Sequence, residues 1–108
     1  MTRLPSHYTK FMEGYPQIGA AYRAMGDAVA DSGPLDAKTR ELVKLGIAIG
    51  ARLETGVRSH TRKALEAGAT PEELRHAVLQ ALTTAGFPTM MTGMSLVDSV
   101  IDAQPSEN

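Results

Sequence analysis

Apolar residues recur along this chain at spacings of three and four, and the short alternating runs of Val, Ile and Thr that mark strands are missing. The pattern predicts an all-α fold of about five to six helices. The first spans about Ser6–Glu13 behind Pro5, and Gly14-Tyr15-Pro16 breaks it. The second spans about Pro16–Ala30, with Pro16 in the first turn, where a helix tolerates a missing N–H. Tyr8, Phe11, Tyr15, Ile18, Tyr22, Met25 and Val29 make a heptad-like stripe across both. Pro16 argues against one continuous coiled coil. The expectation is two short helices that each bury one face, with an interface role for the aromatics as the alternative.

Asp31-Ser32-Gly33-Pro34 reads as a turn, and Asp36 as the N-cap of a third helix that runs to about Ala51. Leu42, Val43, Leu45, Ile47, Ala48 and Ile49 cover most of its circumference. A helix so widely apolar belongs at the centre of a fold or of an oligomer. Glu41 and Lys44 are its ionisable exceptions. A fourth helix spans about Glu54–Ala67 and stops at Gly68, a favoured residue just past a helix end. Thr70, Pro71 and Glu73 then match a capping box with proline at the first helical position. The fifth helix runs to about Ala85, and Gly86-Phe87-Pro88 leads into a last one over about Pro88–Asp102. Met90, Met91 and Met94 open that helix and read as core or interface packing. Gln104–Asn108 reads as a frayed tail.

With 108 residues the chain has the length of one domain, residues 1–108, and can build a single core. Apolar residues at 43% and charged residues at 21% are ordinary for a soluble globular protein. Eleven basic and twelve acidic residues leave a formal charge of −1, without the basic excess of a nucleic-acid binder. No apolar run has the length of a membrane span. The opening residues lack the apolar stretch of a signal peptide, so the expected compartment is the cytoplasm. Cysteine is absent, which removes disulfides, thiolate metal sites and thiol nucleophiles from the chain's own chemistry.

The residues able to carry chemistry are Glu41, Glu54, Arg58, His60 and Arg62. Glu54–Arg58 and Arg58–Arg62 are both i,i+4 steps. One reading is a solvated charge ladder on a helix; the other is a pair of guanidiniums that hold a substrate carboxylate. His60 lies about 20° around the helix from Leu53 and about 40° from Gly56. It is open between a hydrogen-bonded structural histidine and a proton-transfer group. Glu41 needs a partner if buried, and His60 or an arginine fits. His7, His60 and His76 lack metal-ligand spacing, so no metal is expected.

The segments Thr39–Val43, Ala51–Leu65, Ala67–Leu74 and Ala85–Pro88 together resemble the carboxymuconolactone decarboxylase family, which includes the AhpD-like alkylhydroperoxidases. The resemblance is strongest over residues 35–90. It implies an AhpD-like orthogonal helical domain that assembles as a homo-trimer or homo-hexamer. In the family's redox branch a Cys-x-x-Cys pair precedes a histidine, with a glutamate on the preceding helix. The cysteines would fall on Leu53 and Gly56, the histidine on His60 and the glutamate on Glu41. The proton-relay positions match and both thiols are missing, so the peroxidase mechanism lacks its nucleophile. The decarboxylase branch uses neither cysteine nor cofactor. It implies a cofactor-free enzyme for a small carboxylate or lactone. His60 and Glu41 would be catalytic there. Arg58, Arg62 and Glu54 would bind substrate, and backbone donors near Thr55-Gly56 would help hold an anion. Full decarboxylases are expected to carry a few more residues around this core. The alternative is a non-catalytic oligomeric binding or scaffold protein, and a residual antioxidant activity is the least supported.

Overall fold

The structure, a computed structural model, describes residues 6–105. Met1–Pro5 and Ser106–Asn108, which include the helix-leading proline and the end of the tail expected to fray, lie outside the described residues. Six helices and no strand are present among the described residues: α1 Ser6–Gly14, α2 Pro16–Ala30, α3 Ala37–Gly50, α4 Glu54–Glu66, α5 Pro71–Leu79 and α6 Phe87–Asp102. None is long and apolar enough to cross a membrane. The chain divides into two compact units, one ending at Leu35 and one beginning at Asp36.

The first unit holds α1 and α2. Its buried residues are Met12 and Gly19, packed so closely that a Cβ on Gly19 would sit 2.9 Å from the Met12 sulfur. The predicted stripe is not buried between α1 and α2, which corrects the expectation of two helices that each cover one face. Phe11, Tyr15, Ile18, Tyr22, Met25 and Val29 are all between 44% and 59% exposed. Phe11 and Tyr15 pack ring against ring with centroids 5.1 Å apart. The physical reason is that two short helices with apolar stripes still need a third surface to cover them.

The second unit holds α3–α6 around one core. Leu45, Ala48 and Ile49 of α3 meet Val57 and Ala64 of α4, Leu74 and Val78 of α5, and Met90 and Val97 of α6. α3 buries only part of its apolar circumference, and Val43 and Ile47 stay exposed. α3 and α6 approach closely because position 93 is glycine. A Cβ there would lie 3.0 Å from the Ile49 side chain. Polar clasps reinforce the packing from outside. Lys38 reaches Glu73 at 3.0 Å between α3 and α5, and Arg75 reaches Asp98 at 2.9 Å between α5 and α6.

The caps explain where the helices begin and end. The Asp36 side chain accepts from the Thr39 N–H at 2.9 Å. Thr70 and Glu73 form the reciprocal capping box, with both bonds at 2.9–3.0 Å. α4 ends in a Schellman motif, with Gly68 at φ +100°, Gly68 N–H donating to Leu65 and Ala69 N–H to Ala64. α5 stops at Leu79, six residues short of the expected end. Ala81 and Leu82 donate to Val78 and Leu79 in tighter turns, and the Gln80 and Thr84 side chains bond to the His76 and Gln80 carbonyls. Such side-chain bonds compete with the helical ladder.

The Thr39 hydrogen bonds hold the Asp36 carboxyl below its ordinary pKa, and the Thr70 N–H, then Lys38, do the same for Glu73. A depressed folded-state pKa gives stability that is present above the unfolded value and lost as pH falls through the folded one. Between about pH 5 and pH 3, the wild-type Tm should therefore fall more than that of an Asp36→Asn, Glu73→Gln double variant. Calorimetry across that range checks this, and parallel curves would remove the caps from the acid response.

Candidate functional site

Two features of the second unit concentrate polar chemistry, and they do not coincide. The first joins α3 and α4. Glu41 lies one helical turn into α3, and His60 lies at the middle of α4. Packing of the two helices brings Glu41 Oε1 and His60 Nδ1 to 2.8 Å. A carboxylate accepts only, so Nδ1 carries the proton in this bond and Nε2 is left for other partners. The pair is partly withdrawn from water, with the side chains 16% and 24% exposed. Lys44 Nζ sits 3.8 Å from Glu41 Oε2 and puts a cation beside the pair. The sequence marks Lys44 only as an ionisable exception on an apolar helix.

The other sequence-predicted residues lie elsewhere. Arg58 reaches Glu54 at 3.3 Å and Ser99 of α6 at 3.0 Å. Arg62 has its Nε buried without a hydrogen-bond partner. At about 100° per residue, each arginine is about 160° around α4 from His60. Arg58 and Glu54 are brought together as the spacing predicts. Neither arginine is brought to His60 within the chain.

The second feature is a cavity of about 130 Å³ where the end of α3 meets α4 and α6. Its apolar walls are Ile49, Val57, Gly93 and Leu96, and its polar groups are Arg52, Glu54, Thr89 and Thr92. Arg52 Nη2 donates to Thr89 Oγ1 at 2.7 Å. Glu41, His60, Arg58 and Arg62 do not line the cavity. Sequence reasoning does not select Arg52, Thr89 or Thr92. The one signal that points to Arg52 is its place just past a helix end, where glycine is usual. Among the described residues, no group of three His, Cys, Asp or Glu side chains is arranged to hold a metal ion.

This chain belongs to the carboxymuconolactone decarboxylase family, whose profile matches residues 16–99. Its fold is similar to that of a carboxymuconolactone decarboxylase family protein from Legionella pneumophila, with a TM-score of 0.79 at 23% identity, over 90% of this chain and 87% of that one. It is 40% identical over 70 residues to a nitrosuccinic acid decarboxylase of Metarhizium robertsii, covering 63% of this chain and 48% of the relative. It is 44% identical over 50 residues to an uncharacterised protein of Haemophilus influenzae, covering 46% and 44%. The chain spans about half the length of these two curated relatives. The chain has no cysteine and so no Cys-x-x-Cys pair.

Proposed function

We propose that this protein is a cofactor-free acid–base enzyme acting on a small carboxylate or lactone, with His60 as the proton-transfer group and Glu41 as the residue that positions it. The 2.8 Å contact between Glu41 and His60 carries the reading. A carboxylate on Nδ1 fixes the imidazole tautomer and stabilises the ring when Nε2 gains a proton, as in other acid–base pairs. In decarboxylation the bond between the carboxylate carbon and its neighbour breaks, and its electron pair stays on the neighbour. Protonated Nε2 then donates to that carbon and CO2 departs; water returns a proton to His60, and the hydroxide left combines with CO2 as bicarbonate. The decarboxylase relative in Metarhizium robertsii supports this class of reaction. Lys44, on the same side as the pair, supplies the cation that holds a substrate carboxylate there.

The test is CO2 release from a panel of small β-keto, β-nitro and lactone carboxylic acids by the purified protein. Release that saturates with substrate is expected. Binding without release across the panel favours a second reading, a non-catalytic binding protein. The observation behind that reading is that the cavity lies apart from Glu41 and His60.

The same proposal includes assembly as a homo-trimer or homo-hexamer. What supports it is that large apolar side chains stay exposed in each unit, from Phe11 to Val29 in the first and Val43 and Ile47 in the second, and a second copy would cover them. Light scattering at micromolar concentration should give a multiple of the chain mass. A monomer would overturn this part.

A further inference from the structure

We infer that the cavity beside Arg52 is a binding pocket for a short-chain monocarboxylate, with the Arg52 guanidinium holding the carboxylate and the apolar walls taking the chain. The first observation is backbone strain. α3 ends in the same Schellman motif as α4: Arg52 N–H donates to Ile49, and Leu53 N–H to Ala48. The position that must turn left-handed holds Gly68 at φ +100° in one case and Arg52 at φ +58° in the other. A side chain with a Cβ is disfavoured in that conformation, and glycine is not. The chain thus keeps a strained arginine where it uses glycine one helix later. Strain of this kind concentrates at ligand sites.

The second observation is what the side chain does. Arg52 donates to Thr89, which is almost fully buried in the first turn of α6, and this aims the guanidinium along the cavity wall. A guanidinium has five N–H donors, so one bond to a hydroxyl leaves most of its capacity free. No acidic side chain among the described residues forms an ion pair with Arg52. Glu54, the acid on the rim, is paired with Arg58 at 3.3 Å and so adds little net charge.

The third observation is size and lining. A cavity of about 130 Å³ is close to one that holds benzene, about 150 Å³. Ile49, Val57 and Leu96 give it apolar walls, and Thr92 adds a hydroxyl. That combination suits a chain of four to six carbons with one anionic end. It does not suit a polyanion, which would need more than one cation. The inference stands apart from the proton-transfer reading, because binding in this pocket requires no turnover.

The probe is sodium pentanoate, with pentanamide as its neutral counterpart. Binding is followed by two-dimensional amide NMR at Thr92 and Gly93 in the wild type and in Arg52→Gly. Pentanoate should shift both amides saturably, and pentanamide should bind about tenfold more weakly or worse, the loss of a charge-assisted bond. Arg52→Gly should bind pentanoate no better than pentanamide, while its Tm stays level or rises because the left-handed position is relieved. A second variant, Arg52→Lys, keeps the charge and should retain part of the discrimination. The inference falls if the acid and the amide bind equally, or if Arg52→Gly binds pentanoate like wild type. It falls equally if neither amide shifts up to about 50 mM pentanoate. A lower Tm in Arg52→Gly with unchanged binding would make Arg52 a clasp on α6 and nothing more.

Discussion

Exchanging His60 for glutamine should lower turnover of the small carboxylate by about 10²–10⁴-fold, the usual contribution of a positioned proton-transfer group. Glutamine is the informative choice. Its amide can still donate toward Glu41 Oε1, which accepts from His60 at 2.8 Å, but it cannot pass a proton. The fold should therefore survive, and circular dichroism and Tm close to wild type would show it. His60→Ala should lose turnover and also cost about 1–3 kcal/mol of stability, because a partly buried carboxylate loses its donor. Glu41→Gln tests the positioning role. It should lower kcat with little change in KM, since Glu41 is assigned to the transition state and not to substrate binding. Wild-type turnover in His60→Gln would end the assignment of His60. An unchanged kcat in Glu41→Gln would end that of Glu41.

Truncating Leu74 to alanine should cost about 2–5 kcal/mol. Leu74 is fully buried on α5, in a core that includes Leu45, Val78 and Val97. The lost transfer energy and the cavity left behind act together, because helices held by caps and clasps collapse only partly onto the gap. A domain of this size has a total stability of about 5–15 kcal/mol, so the loss is a large share of it. Urea unfolding should show a lower midpoint with an unchanged slope. Leu79→Ala on the same helix is the control. Leu79 is about half exposed and outside the core, and its truncation should cost under about 1 kcal/mol. A loss below about 1 kcal/mol at Leu74 would contradict the packing of α5.

The outcome at particular residues shows which signals a sequence carries. Thr70-Pro71-Glu72-Glu73 predicts its own capping box, and the box forms. Its bonds join groups three residues apart, so nothing distant has to cooperate. The end of α5 was less legible. Tighter turns follow Leu79, and they keep the apolar rhythm of a helix while changing the bonds. The stripe from Phe11 to Val29 is plain in the sequence, but periodicity shows only that a face is apolar and not what covers it. Glu41 and His60 each stand out as ionisable residues among apolar neighbours, and their pairing is one of several the sequence leaves open. Arg52 carries no local motif. Its interest comes from a left-handed backbone and from a hydroxyl 37 residues away.

Residue types and short spacings are enough for the all-α class, the places where most helices start, the absence of thiol chemistry and the membership of the family. Each of these rests on residue type or on near-neighbour spacing, where the covalent chain already sets the geometry. The packing of the helices sets the rest: that Glu41 meets His60, that Arg58 reaches Ser99 of α6, and that a pocket forms beside Arg52. Those relations join side chains on different helices. They depend on how closely α3, α4 and α6 pack, through contacts such as Gly93 against Ile49, and spacing along one helix does not encode that approach.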